Sequence, residues 1–256
     1  MPNLSLFLFA SVLLSVLSPA QQPALPTPLL GAPTMRYLDW SKDLDQAGAV
    51  VVVGRLEKWK EGKRERLADG QLGGGGAVSQ VSGTQYFAVP VTATISPRVA
   101  LHGKEAKLAV AFDLQLARLP DGKEQRQSRT GNGAWIEADR LSLFVVLPKA
   151  KGKGYELRHV IPFDPKVDNG PDAELHFVDT MRDFATVNQR VREFRNALAA
   201  VDAAEKAEDR KAALEVLRKL VEAKVELKVP ANDGLLTQHV GPLEQRARKR
   251  LEDDKG

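Results

Sequence analysis

The stretch Thr84–Leu116, TQYFAVPVTATISPRVALHGKEAKLAVAFDLQL, decides the fold of this chain. In its first part apolar and polar residues alternate. Phe87, Val89, Val91, Ala93 and Ile95 face one way, and Tyr86, Ala88, Pro90, Thr92 and Thr94 the other. Lys107–Leu116 repeats the period, with Leu108, Val110, Phe112, Leu114 and Leu116 on one face. A period of two is that of a strand with one face buried and the other in water. His102-Gly103-Lys104 separates the two runs as a turn signal, with His102 read as a turn residue. Pro90 has no N–H to give to a ladder, which places it at an edge or a bulge.

Further strands lie on both sides. Ala49–Leu56 (AVVVVGRL) is a β-branched run without alternation, as expected of a strand buried on both faces. Leu141–Leu147 (LSLFVVL) and Tyr155–Phe163 (YELRHVIPF) are joined by the basic hairpin loop Pro148–Gly154 (PKAKGKG). Lys60–Ser82 is polar, contains four consecutive glycines at Gly73–Gly76, and reads as a mobile loop. Five strands of this length bury their apolar faces and lose their edges by curling into a small barrel. The expectation is an antiparallel five-stranded β-barrel over 47–165.

After Asn169-Gly170-Pro171 the period becomes helical. Phe177, Phe184, Val187, Val191, Phe194, Leu198 and Val201 form one stripe on a helix of about 30 residues, with Asp172 as its cap. Lys206–Lys228 reads as a second helix, with Leu214, Leu217, Leu220, Val221 and Val225 inside, broken by Pro230–Gly234. Leu236–Leu251 is a third segment, interrupted early by Gly241-Pro242. The stripe's spacing also suits a coiled-coil dimer, but the helix that follows directly offers a partner within the chain. The fold class predicted is α+β: a barrel followed by a helical hairpin or three-helix segment over 172–254, divided from it near Lys166–Pro171 as a separate unit.

The N-terminal part carries an address. Leu4–Leu17 is uncharged and apolar, and Ser18-Pro19-Ala20 places small residues at the positions a signal peptidase inspects. A helix of 14 residues spans about 21 Å, short of a hydrocarbon core about 30 Å thick. Residues 1–20 therefore read as a signal peptide, and the chain as exported, to a periplasmic or extracellular location. No second apolar run reaches membrane-spanning length, so no span is expected after cleavage. Residues 21–46, opening with the proline-rich Gln21–Pro33, read as an extended tether. With no cysteine in the chain, neither disulfides nor thiolate metal sites are available.

The β elements carry a resemblance. A hydrophobic strand ends in Val53-Gly54-Arg55, an aromatic-containing strand begins Gln85-Tyr86-Phe87, and the last hairpin runs from LSLFVVL through a Lys/Gly turn to YELR. Over Ala47–Asp164 this resembles the netrin-module or tissue-inhibitor-of-metalloproteinase type of OB-like barrel, and bacterial secreted proteins with similar openings. The resemblance implies a barrel and a binding role. It does not extend to protease inhibition: those animal inhibitors chelate the protease zinc through an N-terminal cysteine, and this chain has none.

No catalytic constellation is apparent. His102, His159, His176 and His239 include no pair at metal-ligand spacing, and no G-x-S-x-G elbow occurs. His159, between Leu157 and Ile161, is expected on the inward side of its strand as a hydrogen-bonded core histidine. Gly73–Gly76 lacks the Lys-Ser/Thr of a phosphate loop, so no cofactor is implied. The basic clusters remain. Lys58, Lys60, Lys63, Arg64 and Arg66 surround the first loop with Trp59 among them, diluted by Glu57, Glu61, Glu65 and Asp69. Lys149, Lys151 and Lys153 fill the last hairpin. Residues 21–165 carry a net +5, and 166–256 a net −1. OB-like barrels hold polyanions with basic loops and exposed aromatics, here Trp59, Tyr86 and Trp135. The C-terminal Arg246, Arg248, Lys249 and Arg250 suit a helix macrodipole instead. The ligand-binding candidates are thus Lys58, Trp59, Lys60, Lys63, Lys149, Lys151 and Lys153. The expected partner is another envelope protein or an anionic polymer; an exported chain seldom meets nucleic acid. A hydrolase of the envelope with a dispersed active site is the alternative to a non-enzymatic binding or scaffold protein.

Overall fold

The computed structural model describes residues 37–67, 83–104, 106–128, 136–168 and 170–254. The residues read as leader, most of those read as tether, Gly73–Gly76 and Trp135 lie outside them. Five long strands close into a barrel: β1 (Val50–Glu61), β3 (Gln85–His102), β4 (Leu108–Arg118), β6 (Ser142–Pro148) and β7 (Tyr155–Pro162). Around the barrel the order is β1-β3-β4-β7-β6 and back to β1. Two short strands, β2 (Glu65–Arg66) on β3 and β5 (Glu124–Ser128) on β4, extend the sheet.

The predicted faces hold. Val89, Val91, Ala93 and Ile95 of β3 and Leu108, Val110, Phe112, Leu114 and Leu116 of β4 fill the barrel, while Pro90, Thr92 and Asp113 face solvent. The barrel is mixed rather than wholly antiparallel. β4 and β7 run parallel, with Val110 opposite Tyr155 and Ala111 opposite Glu156. A closed ring with an odd number of strands cannot alternate direction throughout, so one neighbouring pair must be parallel. Here the pair falls where the last strand seals the ring, which is the OB-like arrangement.

β1 and β6 are buried on both faces, as their unbroken apolar runs imply. Val50, Val52, Phe144 and Val146 point into the barrel. Val51, Val53, Leu143 and Val145 point outward into a second core, shared with α1 (Ala173–Ala203). All seven residues of the predicted stripe on α1 are buried in that core. The two cores thus meet back to back through the same strands, and the described residues all belong to one compact unit. The boundary expected near Lys166–Pro171 is a change of secondary structure and does not divide the packing.

Four further expectations are corrected. The end of the predicted tether is packed: Trp40 and Leu44 are buried in the outer core. The Trp40 N–H donates to Asn188 Oδ1 at 2.7 Å, and Asn188 Nδ2 donates to the carbonyls of Leu38 and Phe184. The second helix, α2 (Ala207–Glu222), stops short of Lys228. Arg190 of α1 donates to the carbonyls of Leu220 and Ala223, taking up the acceptors a helix end leaves free. Asp172 occupies the N-cap of α1 without a side-chain cap bond. After α2 a 3-10 turn (Pro230–Asn232), the single turn α3 (Asp233–Leu235) and a π-helical stretch (Leu236–Val240) lead into α4 (Gly241–Asp253), so Gly241-Pro242 opens a helix rather than interrupting one. Proline at the first turn costs a helix nothing, since its missing N–H had no partner there. Among the described residues no helix is long and apolar enough to cross a membrane.

Candidate functional site

The outward face of β3 and β4 is built from small side chains. Cross-strand partners share a face, and one row reads Lys60 on β1, Thr92 on β3, Ala111 on β4 and Glu156 on β7. The next row pairs Pro90 with Asp113. Alternating strands put their large residues inside, so the solvent side is left shallow and open. The hairpin between β6 and β7 closes over one end of this floor and makes a groove of about 750 Å³, with Lys149, Lys151 and Arg158 among its walls.

The hairpin's geometry depends on its glycines. Gly154 has φ +96°, and a Cβ there would lie 3.0 Å from the Ala109 carbonyl oxygen of β4. Only glycine adopts that backbone freely and lets the loop approach β4 so closely. The Lys149 N–H donates to the Gly154 carbonyl at 3.1 Å and shuts the turn. Lys149 is half-buried; Lys151 and Lys153 are exposed.

The structure brings some predicted residues to this groove and not others. Lys149 and Lys151 line it, Lys153 lies on the same hairpin, and Lys60 pairs with Thr92 in the β1–β3 register but is not part of the lining. Lys58 sits at a β-bulge with φ +53°, where β1 and β3 lose register between Glu57 and Lys60. The bulge turns Trp59 inward. Its ring meets Phe112 edge-on at 5.4 Å and its Nε1 donates to Glu61, so Trp59 plugs the barrel mouth instead of offering a stacking face. Lys63 is exposed on the loop after β1, and Arg64 pairs with Glu124 of β5 at 2.7 Å. Thr92, Asp113, Glu156 and Arg158 complete the groove. Their outward direction was readable from the alternation; their meeting depends on which strands pair, which no local pattern states.

His159 is not on the inward side of β7. The β6–β7 register slips between Val145 and Val146, so Leu157 and Val160 fill the barrel and His159 faces the N-terminal segment. There its Nε2 lies 2.9 Å from Asp43 Oδ2, and Arg158 Nε lies 3.5 Å from Asp43 Oδ1. Histidine and carboxylate are two members of a hydrolytic triad. Among the described residues, the buried His159 Nδ1 has no hydrogen-bond partner, hydroxyl or otherwise. The pair instead ties Asp43 of the packed N-terminal segment to the barrel. His102 is the last residue of β3 and not part of the turn, half-buried beside α1. Burial, together with the nearby Arg192 guanidinium, holds its imidazole below the usual range.

Comparison of the chain with protein-family models, with curated proteins and with solved structures found no match.

Proposed function

We propose that this chain is an exported, non-enzymatic binding protein whose OB-like barrel holds a stretch of anionic polymer across β3, β4 and β7. The observation that carries the reading is the groove itself: a floor of small side chains, about 750 Å³ of space, and a wall of hairpin lysines. Small residues on a flat sheet admit the backbone of an extended polymer without demanding a particular side group. Lys149, Lys151 and Arg158 line that floor against Asp113 and Glu156, with Lys153 on the same hairpin, so anionic groups are favoured. OB-like barrels use this same face and the loop between their last two strands for extended ligands. The leader read in residues 1–20 supports export, and among the described residues no hydroxyl bonds to His159 Nδ1.

The test is retention on an immobilised polyanion such as heparin, measured against salt. Each lysine–anion contact releases counterions, so affinity falls steeply as salt rises. Replacing Lys149, Lys151 and Lys153 together by Ser should weaken retention and flatten the log–log salt slope by up to about three. The melting temperature should barely move, because Lys151 and Lys153 are exposed, Lys149 is only half-buried, and none of the three forms an ion pair among the described residues. Elution of the unaltered protein at the salt of any protein of equal charge would remove the reading.

A further inference from the structure

His159 stands where the groove meets the N-terminal segment. It lines the groove, and its Nε2 lies 2.9 Å from Asp43 Oδ2. Asp43 opens a 3-10 turn, Asp43–Asp45, and its other oxygen, Oδ1, lies 3.5 Å from Arg158 Nε. One carboxylate thus serves two neighbouring side chains of β7, and both of these line the groove. A carboxylate only accepts, so the neutral imidazole keeps its proton on Nε2 and leaves Nδ1 bare. A second proton therefore goes to Nδ1.

The charges around His159 are close to balance. The lining holds three cations, Lys149 and Lys151 of the hairpin and Arg158 of β7, against two carboxylates, Asp113 of β4 and Glu156 of β7. Asp43, on the N-terminal segment, offsets Arg158. On β6 the residue opposite His159 is the apolar Val145. Lys153, exposed on the hairpin, adds one further positive charge. Against so small a surplus, a single added proton changes the field on a bound anion strongly. Histidine is the side chain that ordinarily changes charge between about pH 8 and pH 5.

We infer, resting on the polymer-binding reading of this groove, that protonation of His159 tightens its hold on an anionic polymer. The proton on Nδ1 makes an imidazolium that neutralises Asp43 by itself. Arg158, no longer shared with Asp43, turns to the polymer, and the groove gains one positive charge. The new N–H has no acceptor among the described residues. Attraction to Asp43 and to the bound polymer offsets that cost. Protonation and binding therefore favour each other, as linkage requires. Asp43 acts here as a positioning residue, through Arg158 and His159.

The probe is heparin, whose sulfates stay ionised throughout, at about pH 8 and about pH 5.5 and fixed salt. The unaltered protein should bind about two to five times more tightly at the lower pH, the range of one partly exposed ion pair. His159→Gln keeps a donor for Asp43 but cannot titrate, and should lose most of that gain. Asp43→Asn frees Arg158 at either pH, and should bind more tightly than the unaltered protein at the higher one. Calorimetry on the unaltered protein at about pH 6.5, in two buffers of different ionisation enthalpy, should show protons taken up as heparin binds. That measurement does not depend on how a variant folds. An equal gain in His159→Gln, unchanged binding by Asp43→Asn at the higher pH, or no proton uptake would each overturn the switch and leave the groove standing. No binding by the unaltered protein at either pH would remove the groove reading, and the switch with it.

Discussion

Asp183 is 2% exposed and faces no lysine or arginine in its bonds; its carboxylate takes up the N–H groups of Lys228 and Val229 and the Asn232 amide. Three donors on one carboxylate are enough to hold it in a buried place, and removing it strands all three. Asp183→Ala should therefore cost about 2–4 kcal/mol in urea unfolding. A change within about 0.5 kcal/mol would mean that water replaces the carboxylate at no cost. His102 is a subtler case. Its folded-state pKa lies below the ordinary imidazole value of 6.5, through burial first and the nearby Arg192 second. As pH falls through about 6.5 the unfolded chain takes up a proton that the folded chain refuses, so folding loses stability in that window. Between about pH 7 and pH 5, the unaltered protein should lose more stability than His102→Gln, which has nothing to titrate. Comparing the two proteins cancels the carboxylates they share. Equal losses would show that His102 titrates alike in both states.

Strand β1 illustrates what an element demands of its sequence. At Gly54 it crosses β3 closely enough that a Cβ would stand 2.3 Å from the Ser96 carbonyl oxygen and 3.0 Å from Pro97 Cα. Backbone cannot yield there as a side chain would, so Gly54→Ala should destabilise the barrel by about 1–3 kcal/mol, read as a lowered melting temperature. Wild-type stability in that variant would mean that β1 and β3 can part at this point without cost. Much of the element level was legible beforehand. The alternation of β3 and β4, the two-sided burial of β1 and the stripe on α1 are local periods, and each came out on the predicted face. What failed needed partners. His159 was misplaced by a register slip in β6–β7, Trp59 by a bulge opposite β3, and the end of α2 by carbonyl bonds from Arg190 and amide bonds to Asp183. Of the candidate site, the hairpin lysines were visible as a charged loop. The floor they overhang was not, because strand order joins Thr92, Ala111 and Glu156 from segments far apart in the chain.

At the scale of the whole molecule, the question is whether barrel and helices can exist apart. The change of period at residues 169–171 suggests that they can, with a β-rich fragment surviving proteolysis. The packing argues otherwise. Val51, Val53, Leu143 and Val145 form the outer surface of β1 and β6, and all four are fully buried only because α1 and Trp40 cover them. Baring an aliphatic side chain of that size costs about 1.5–3 kcal/mol, so a barrel without α1 would lose several kcal/mol on these four alone. That is comparable with the whole stability of an ordinary domain. Across the same seam Asp45 bonds Arg192, Arg195 and Asn196, while Arg55 and Arg98 meet Glu174; these pairs are exposed and add orientation more than stability. The expectation is a single cooperative transition. Near-ultraviolet dichroism and far-ultraviolet helix signal should lose amplitude at one urea concentration, and limited proteolysis should yield no stable fragment ending near residue 170. A barrel fragment that persists, or a helix signal that melts first, would mean that the inner core alone suffices and that β1 and β6 tolerate water on their outer face.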